Sequence, residues 1–187
     1  MKELSEIEKV VILDTSAFIA GFDPFSIQNE QYSVPMVEKE LFSDSLSWTR
    51  FNAAVENKKL RITEPTADFI QKVREASKTV GDISFLSEAD LQVLALALEV
   101  KNRGETPLIV TDDYSIQNVA NQIGVEFSPL MTFGIRFRLH WIRYCPACYR
   151  KYPADYKFKK CKICGTKLKR KPLKKTSIKK EKELKQI

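Results

Sequence analysis

The sequence predicts an α/β domain with a mostly parallel sheet covered on both faces, followed by a small cysteine-bearing appendage. Three observations carry that expectation. Short β-branched apolar runs alternate with helix-patterned stretches as far as about residue 128, and strands alternating with helices of about ten or more residues form parallel sheets. Two Cys-x-x-Cys pairs stand together between residues 145 and 164. Charge is also divided: residues 136–187 hold nineteen Lys or Arg against three acids, and residues 1–135 hold twelve against twenty-one. A chain of 187 residues accommodates one domain of about 130 residues and a short appendage.

The elements follow in order. Val10–Leu13 is a buried-strand run that ends at Asp14. Pro35 suits the first turn of a helix through Met36, Val37 and Leu41. Leu60–Ile62 reads as a second strand, and after Pro65 a helix presents Phe69, Ile70 and Val73 until Gly81 stops it. Ser87 and Asp90 form a capping-box pattern at the start of a helix whose Leu91, Val93, Leu94, Leu96 and Leu98 run nearly all round it, so that helix is expected to be buried. Leu108–Val110 is a further strand leading into Thr111, Asp112 and Asp113. Ile116, Val119, Ala120 and Ile123 then have helical spacing before Gly124, and Val125–Phe127 is a last strand. From Phe133 the stretch FGIRFRLHWIRY alternates apolar residues with Arg136, Arg138, His140 and Arg143, the pattern of an extended segment with one basic face. The expected divisions are an α/β body over 9–130, a basic and aromatic connecting segment over 131–144, a cysteine unit over 145–170 and a basic tail over 171–187. The lone His140 is expected to pack rather than to catalyse.

With 43% hydrophobic and 29% charged residues the composition is that of a globular protein, and no apolar run approaches the ~20 residues of a membrane span. The segment MKELSEIEKV lacks the regions of a secretion signal, so a cytoplasmic protein with no membrane partner is expected. The basic end points to a polyanion, because Lys and Arg that neutralise phosphates release counterions; a solvated lysine tail is the alternative for residues 174–187.

Open α/β sheets present their ligands beyond the carboxyl ends of the strands, and that is where the acids of the body lie. Asp14 follows one strand and Asp112 and Asp113 another; Glu38 and Glu40 lie on the first helix, and Asp90 in the first turn of the buried one. Each taken alone also fits a structural role as a cap, a turn former or an exposed helix charge. Gathered together, four or five carboxylates with few cations nearby need a divalent metal. Hard oxygen ligands suit Mg²⁺ or Mn²⁺, which activates water and stabilises charge in displacement at phosphorus. Other chemistries find few parts: there is one His, and no Walker-type loop, G-x-S-x-G elbow or G-x-G-x-x-G turn.

The ordered set VVILDTSAFI, VEKEL, LSEADLQVLALAL and LIVTDDYSIQNVA resembles the PIN-domain nucleases over about residues 9–130. That resemblance implies a three-layer α/β/α domain and Mg²⁺- or Mn²⁺-dependent cleavage of single-stranded RNA. By motif it carries the catalytic acids onto Asp14, Glu40, Asp90 and Asp113, with Asp14, Asp90 and Asp113 as metal ligands and Thr15, Ser16 and Thr111 as supporting hydroxyls. The doubled acids of TDD and EKE leave Asp112 and Glu38 as alternatives to their neighbours.

Cys145, Cys148, Cys161 and Cys164 form two knuckles twelve residues apart, close to the spacing of a zinc ribbon. Cys₄ ligation leaves no open position, so one structural zinc is expected; two disulfides are the competing account. The loop between the knuckles interleaves Arg150, Lys157, Lys159 and Lys160 with Tyr149, Tyr152, Tyr156 and Phe158. With Arg136, Arg138 and Arg143 these basic residues are the expected RNA contacts, through phosphate pairing and stacking on unpaired bases. At least two of the aromatics are expected to pack around the metal instead.

A PIN domain followed directly by a zinc ribbon and a basic tail is similar to the archaeal members of the Nob-type endonucleases, which mature the 3′ end of small-subunit ribosomal RNA. The resemblance spans about residues 9–170. It implies cleavage of a single-stranded region of precursor rRNA in an assembling small subunit, with assembly-factor proteins as possible partners. The rival readings are a PIN ribonuclease acting on other RNA, a non-catalytic RNA-binding assembly factor, and a phosphate-accepting receiver domain.

Overall fold

In the computed structural model the described residues are 9–42 and 45–178. At the centre lies strand β1, Lys9–Leu13, whose Val10, Val11, Ile12 and Leu13 are all buried. Successive side chains of a strand point to opposite faces, so burial of all four means that both faces of the sheet are covered. Strands β2 (Gln31–Ser33) and β4 (Thr106–Val110) flank it, and β3 (Arg61–Ile62) and β5 (Glu126–Ser128) form the edges. All pairings are parallel, in the order β3-β2-β1-β4-β5. The chain builds outward in one direction from β1 and then returns to start again at β4, so the switch point falls between these two strands. Their register sets Leu13 beside Val110, and Asp14 and Thr111 therefore leave the sheet side by side.

Six helices flank the sheet: α1 (Thr15–Ile19), α2 (Pro35–Glu40), α3 (Leu46–Glu56), α4 (Ala67–Val80), α5 (Glu88–Asn102) and α6 (Tyr114–Ile123). The capping box of Ser87 and Asp90 is present, and α5 buries Leu91, Val93, Leu94, Leu96 and Val100 against β1, β4 and its neighbouring helices α4 and α6. Among the described residues no helix is long and apolar enough to cross a membrane.

The basic end is organised differently from the connecting segment and tail read from the sequence. Strand β6 (Phe137–Tyr144) pairs antiparallel with β8 (Lys169–Ser177), and a short β7 (Lys151–Tyr152) adds to the other side of β6. Residues 171–177, expected as tail, are thus half of a two-stranded stem with the cysteine unit at its end. The segment KRKPLKKTS has almost no apolar pattern; its place comes from main-chain ladder bonds, which side-chain periodicity does not report. The register shifts between His140 and Trp141, where Pro172, which has no N–H, stands opposite. The remainder of the expected tail, 179–187, lies outside the described residues.

Polar side chains from the body hold this stem. The Asn118 side chain donates to Leu139 O and accepts from Leu139 N, both at 2.8 Å, as a neighbouring strand would. Gln117 Oε1 accepts from Ile135 N at 3.0 Å. Asp82 is buried and pairs with Arg170, whose guanidinium lies 4.0 Å from the Phe85 ring centroid and 3.7 Å from that of Trp141. Gly81, with φ +83°, ends α4 in the left-handed region, and a Cβ there would come within 2.8 Å of Trp141 O.

Candidate active site and metal centre

Asp14 caps α1 at the end of β1 and is 3% exposed. Its Oδ2 accepts from Ser16 Oγ at 2.7 Å and from Thr111 Oγ1 at 2.9 Å. The same hydroxyls hold the next turn, because Asp112 N donates to Ser16 Oγ and Asp113 N to Thr111 Oγ1. Asp113 caps α6, its Oδ1 accepting from Ser115 N at 2.5 Å. Asp90 Oδ2 accepts from Ser87 N at 2.6 Å, and Glu40 Oε2 accepts from Thr15 Oγ1 at 2.6 Å. The hydroxyls of Thr15, Ser16 and Thr111 thus tie together the segments that carry Asp14, Glu40 and Asp113.

Three of the acids act on one another through their charges. Burial pushes the Asp90 carboxyl up to about 6, and the charges of Asp14 and Asp113 push it in the same direction. Burial also raises Asp14, against the hydroxyl and amide bonds that lower it. Among the described residues no Lys or Arg forms an ion pair with Asp14, Glu40, Asp90 or Asp113. Accumulated negative charge without a counter-ion, presented by hard oxygens, fits a divalent cation.

Asp112 is engaged elsewhere. Its carboxylate accepts from the backbone N–H groups of Leu130, Met131 and Thr132 and from Thr132 Oγ1, at 2.9–3.1 Å. Burial raises its carboxyl, but these donors outweigh it and hold it below the usual carboxylate range. Glu38 is exposed on α2, one turn-half away from the Glu40 contact to Thr15.

The four cysteines form a tighter group. All four Sγ atoms lie within 4.8 Å of one another, with Cys145–Cys164 at 3.3 Å and Cys148–Cys161 at 3.5 Å. Tetrahedral ligation at the Zn–S distance of about 2.3 Å needs sulfurs about 3.8 Å apart, so the group can hold a metal ion with small adjustments. The backbone N–H of Cys148 points at Cys145 Sγ and that of Ile163 at Cys161 Sγ, both at 3.4 Å. The residue after each knuckle takes a positive φ: Gly165 at +71° without strain, and Tyr149 at +57° in the same role.

Residues 11–100 match the family model described as "PIN domain of ribonuclease". Endoribonuclease Nob1 of Methanothermobacter thermautotrophicus is 38% identical over 160 residues, covering 86% of this chain and 91% of the relative. The chain belongs to the Nob1 endoribonuclease family. Endoribonuclease Nob1 of Methanocaldococcus jannaschii is 37% identical over 179 residues, covering 96% of this chain and 86% of the relative. That of Archaeoglobus fulgidus is 32% identical over 158 residues, covering 84% and 88%.

In this Nob1-family chain the basic residues singled out from the sequence fall into two groups. Arg150, Lys157, Lys159 and Lys160 are exposed on the cysteine unit, and Arg136 is exposed at the foot of the stem. Arg138 and Arg143 are half-buried, and Arg143 Nε donates to Ala154 O at 3.0 Å, an architectural contact. Tyr152 and Tyr156 pack around the cysteines, with Tyr152 Oη 3.0 Å from Cys161 Sγ, while Tyr149 and Phe158 are exposed. His140 is half-buried on β6, and burial, Arg138 and Lys174 depress its imidazole. Sequence reasoning passed over Asp82, Asn118 and Arg170, which hold the stem to the body, because their partners lie far away in the chain and no local pattern reports them. An Asp immediately after a helix-stopping Gly81 was the available signal for the first of them.

Proposed function

We propose that this chain is a Mg²⁺- or Mn²⁺-dependent endoribonuclease that hydrolyses a phosphodiester in a single-stranded region of precursor small-subunit rRNA, during ribosome assembly in the cytoplasm. The observation that carries the reading is the repulsion that Asp14 and Asp113, at the switch point of a parallel sheet, exert on the Asp90 carboxyl with no cation paired to any of the three among the described residues. The membership of the Nob1 endoribonuclease family supports the substrate class. Asp14, Asp90 and Asp113 would hold the divalent ion, which when bound supplies Lewis-acid activation of water and neutralises the charge developing at phosphorus. Ser16 and Thr111 orient the Asp14 carboxylate by donating to Oδ2, leaving its second oxygen free of those bonds. Glu40, anchored through Thr15, stands as the acceptor for a proton from the attacking water. Asp112 serves as anchor for the 130–132 loop, which leads into the stem.

On the same reading the four cysteines hold one structural zinc, and the exposed Arg136, Arg150, Lys157, Lys159 and Lys160 contact RNA phosphates within the small-subunit precursor, in the company of assembly-factor proteins. Cleavage of a single-stranded RNA by the full chain, dependent on added Mg²⁺ or Mn²⁺ and lost in Asp14→Asn, is the expected result. An Asp14→Asn chain that cuts as fast as the parent would remove the proposed site. A parent chain that binds RNA but cuts none under either ion would leave the non-catalytic reading.

A further inference from the structure

A cavity of about 370 Å³ lies between α6 and the stem. Its wall includes Tyr114, the residue that follows Asp113, so the space begins beside the carboxylate crevice. The lining also includes Arg136, Phe137 and Lys175 from the foot and far strand of the stem, with Trp141 and Arg170. Tyr114 is 55% and Phe137 47% exposed, two aromatic side chains left half-open at a junction that buries Asp82 and half-buries its partner Arg170. Arg136 and Lys175 are exposed, and among the described residues neither takes part in an ion pair. The Arg170 guanidinium is already engaged, lying 3.7 Å from the Trp141 ring centroid and paired with Asp82, so the free cations of the lining are Arg136 and Lys175.

We propose that this cavity is a nucleotide subsite in which one unpaired base of the RNA strand stacks between Tyr114 and Phe137 while its phosphate is held by Arg136 and Lys175. The inference rests on the endoribonuclease reading for its ligand and deepens it by naming where the strand runs. Three features select this occupant. The volume is at the small end of ligand sites, about 300–1,000 Å³, enough for one nucleotide and not for a helix or a strand pair. Half-exposed aromatic faces suit a planar base, and cations at the rim suit phosphate. An unpaired strand alone can turn a base outward into such a cleft, because in a duplex the bases are stacked and the major groove is too narrow for side chains. The site also explains why the stem is locked to α6 by Asn118 and Gln117: the two walls of the subsite belong to different parts of the chain, and their spacing has to be held.

The test uses the full-length protein and a fluorescent oligouridylate, with affinity measured without added Mg²⁺ or Mn²⁺ so that cleavage plays no part. Phe137→Ala is expected to weaken binding about tenfold, the usual effect of removing one stacking platform. Phe137→Trp should restore it, and Lys175→Gln should weaken it by a smaller factor. Irradiation of the same strand carrying 5-bromouridine should cross-link to Tyr114 or Phe137. Failure of Phe137→Trp to restore affinity would assign Phe137 a structural role and overturn the subsite. Weakening by Lys175→Gln alone would mean that the cleft holds phosphate without a base, also against the proposal. Unchanged affinity in every variant, with cross-links confined to the cysteine unit, would leave the cleft to a protein partner. A parent chain that shows these binding effects but cuts no RNA under Mn²⁺ would overturn the endoribonuclease reading and leave the subsite standing.

Discussion

Asp14 in the crevice and Asp82 at the junction are both almost wholly buried, at 3% and 1% exposure, and burial raises both carboxyls. Their surroundings differ. Asp82 has the Asn118 amide and the Arg170 guanidinium, itself flanked by two aromatic rings, and so its charge is answered from within the chain. Asp14 has hydroxyls and amides only, and its charge, like that of Asp113, pushes up the carboxyl of Asp90. Burying a charge is costly unless it is paired. The answered acid builds the architecture, whereas the unanswered ones carry an electrostatic cost that a bound cation would relieve.

The largest expected effect follows from the unanswered side. Asp14→Asn should lower RNA cleavage by at least about a thousandfold, the scale of losing a group that stabilises transition-state charge, with RNA affinity nearly unchanged. Asp113→Asn should behave likewise, whereas Asp112→Asn should act through the 130–132 loop and keep most of the activity. Single-turnover cleavage of one RNA by the three variants measures this.

On the answered side, Arg170→Met leaves Asp82 buried without its cation. Thermal or urea unfolding should show a loss of about 3 kcal/mol. The sign with pH is fixed: a carboxyl raised in the folded state favours folding when protonated, so the deficit should shrink as pH falls and Asp82 takes up a proton. The same contact bears on truncation. The two apolar cores are separate, so a chain ending at Pro129 should still fold, but it loses Arg170 and should melt lower than the full protein. It should also bind RNA weakly and lose most of the salt dependence of binding, whose slope is about −0.7 per phosphate contacted on a single strand. Cys161→Ser should release the metal from the cysteine unit, as elemental analysis would show, while β1 and its neighbours remain folded.

How much of this was legible in the sequence depends on what held each part in place. Strands β1 and β4 and helix α5 announce themselves because burial on all sides demands continuous apolar residues. Strand β2, with the sequence QYS, and α1, with only five residues, carry too little pattern to be read; they are held by neighbours already in place. The acids could be picked out in the sequence, but nothing in TDD says which carboxylate meets the N–H groups of residues 130–132, a contact eighteen to twenty residues away. The stem was half legible, since β6 alternates and β8 does not.

The smallest expected effect concerns Asp90. With its folded carboxyl at about 6 against an ordinary 3.8, the metal-free protein should lose stability as pH rises through that window. Asp90→Asn should remove the loss and raise the metal-free Tm at pH 7 by roughly 2–4 °C, with little change at pH 4.

The account turns on whether Asp14 and its neighbours await a cation, and Mn²⁺ binding isotherms for the parent chain, Asp14→Asn and Asp112→Asn measure that without any assumption about RNA. A site that Asp14→Asn weakens by more than about tenfold and Asp112→Asn leaves within about twofold is the result predicted, in line with the usual cost of disturbing a metal's support. Mn²⁺ binding of equal strength in the parent and Asp14→Asn chains would contradict it.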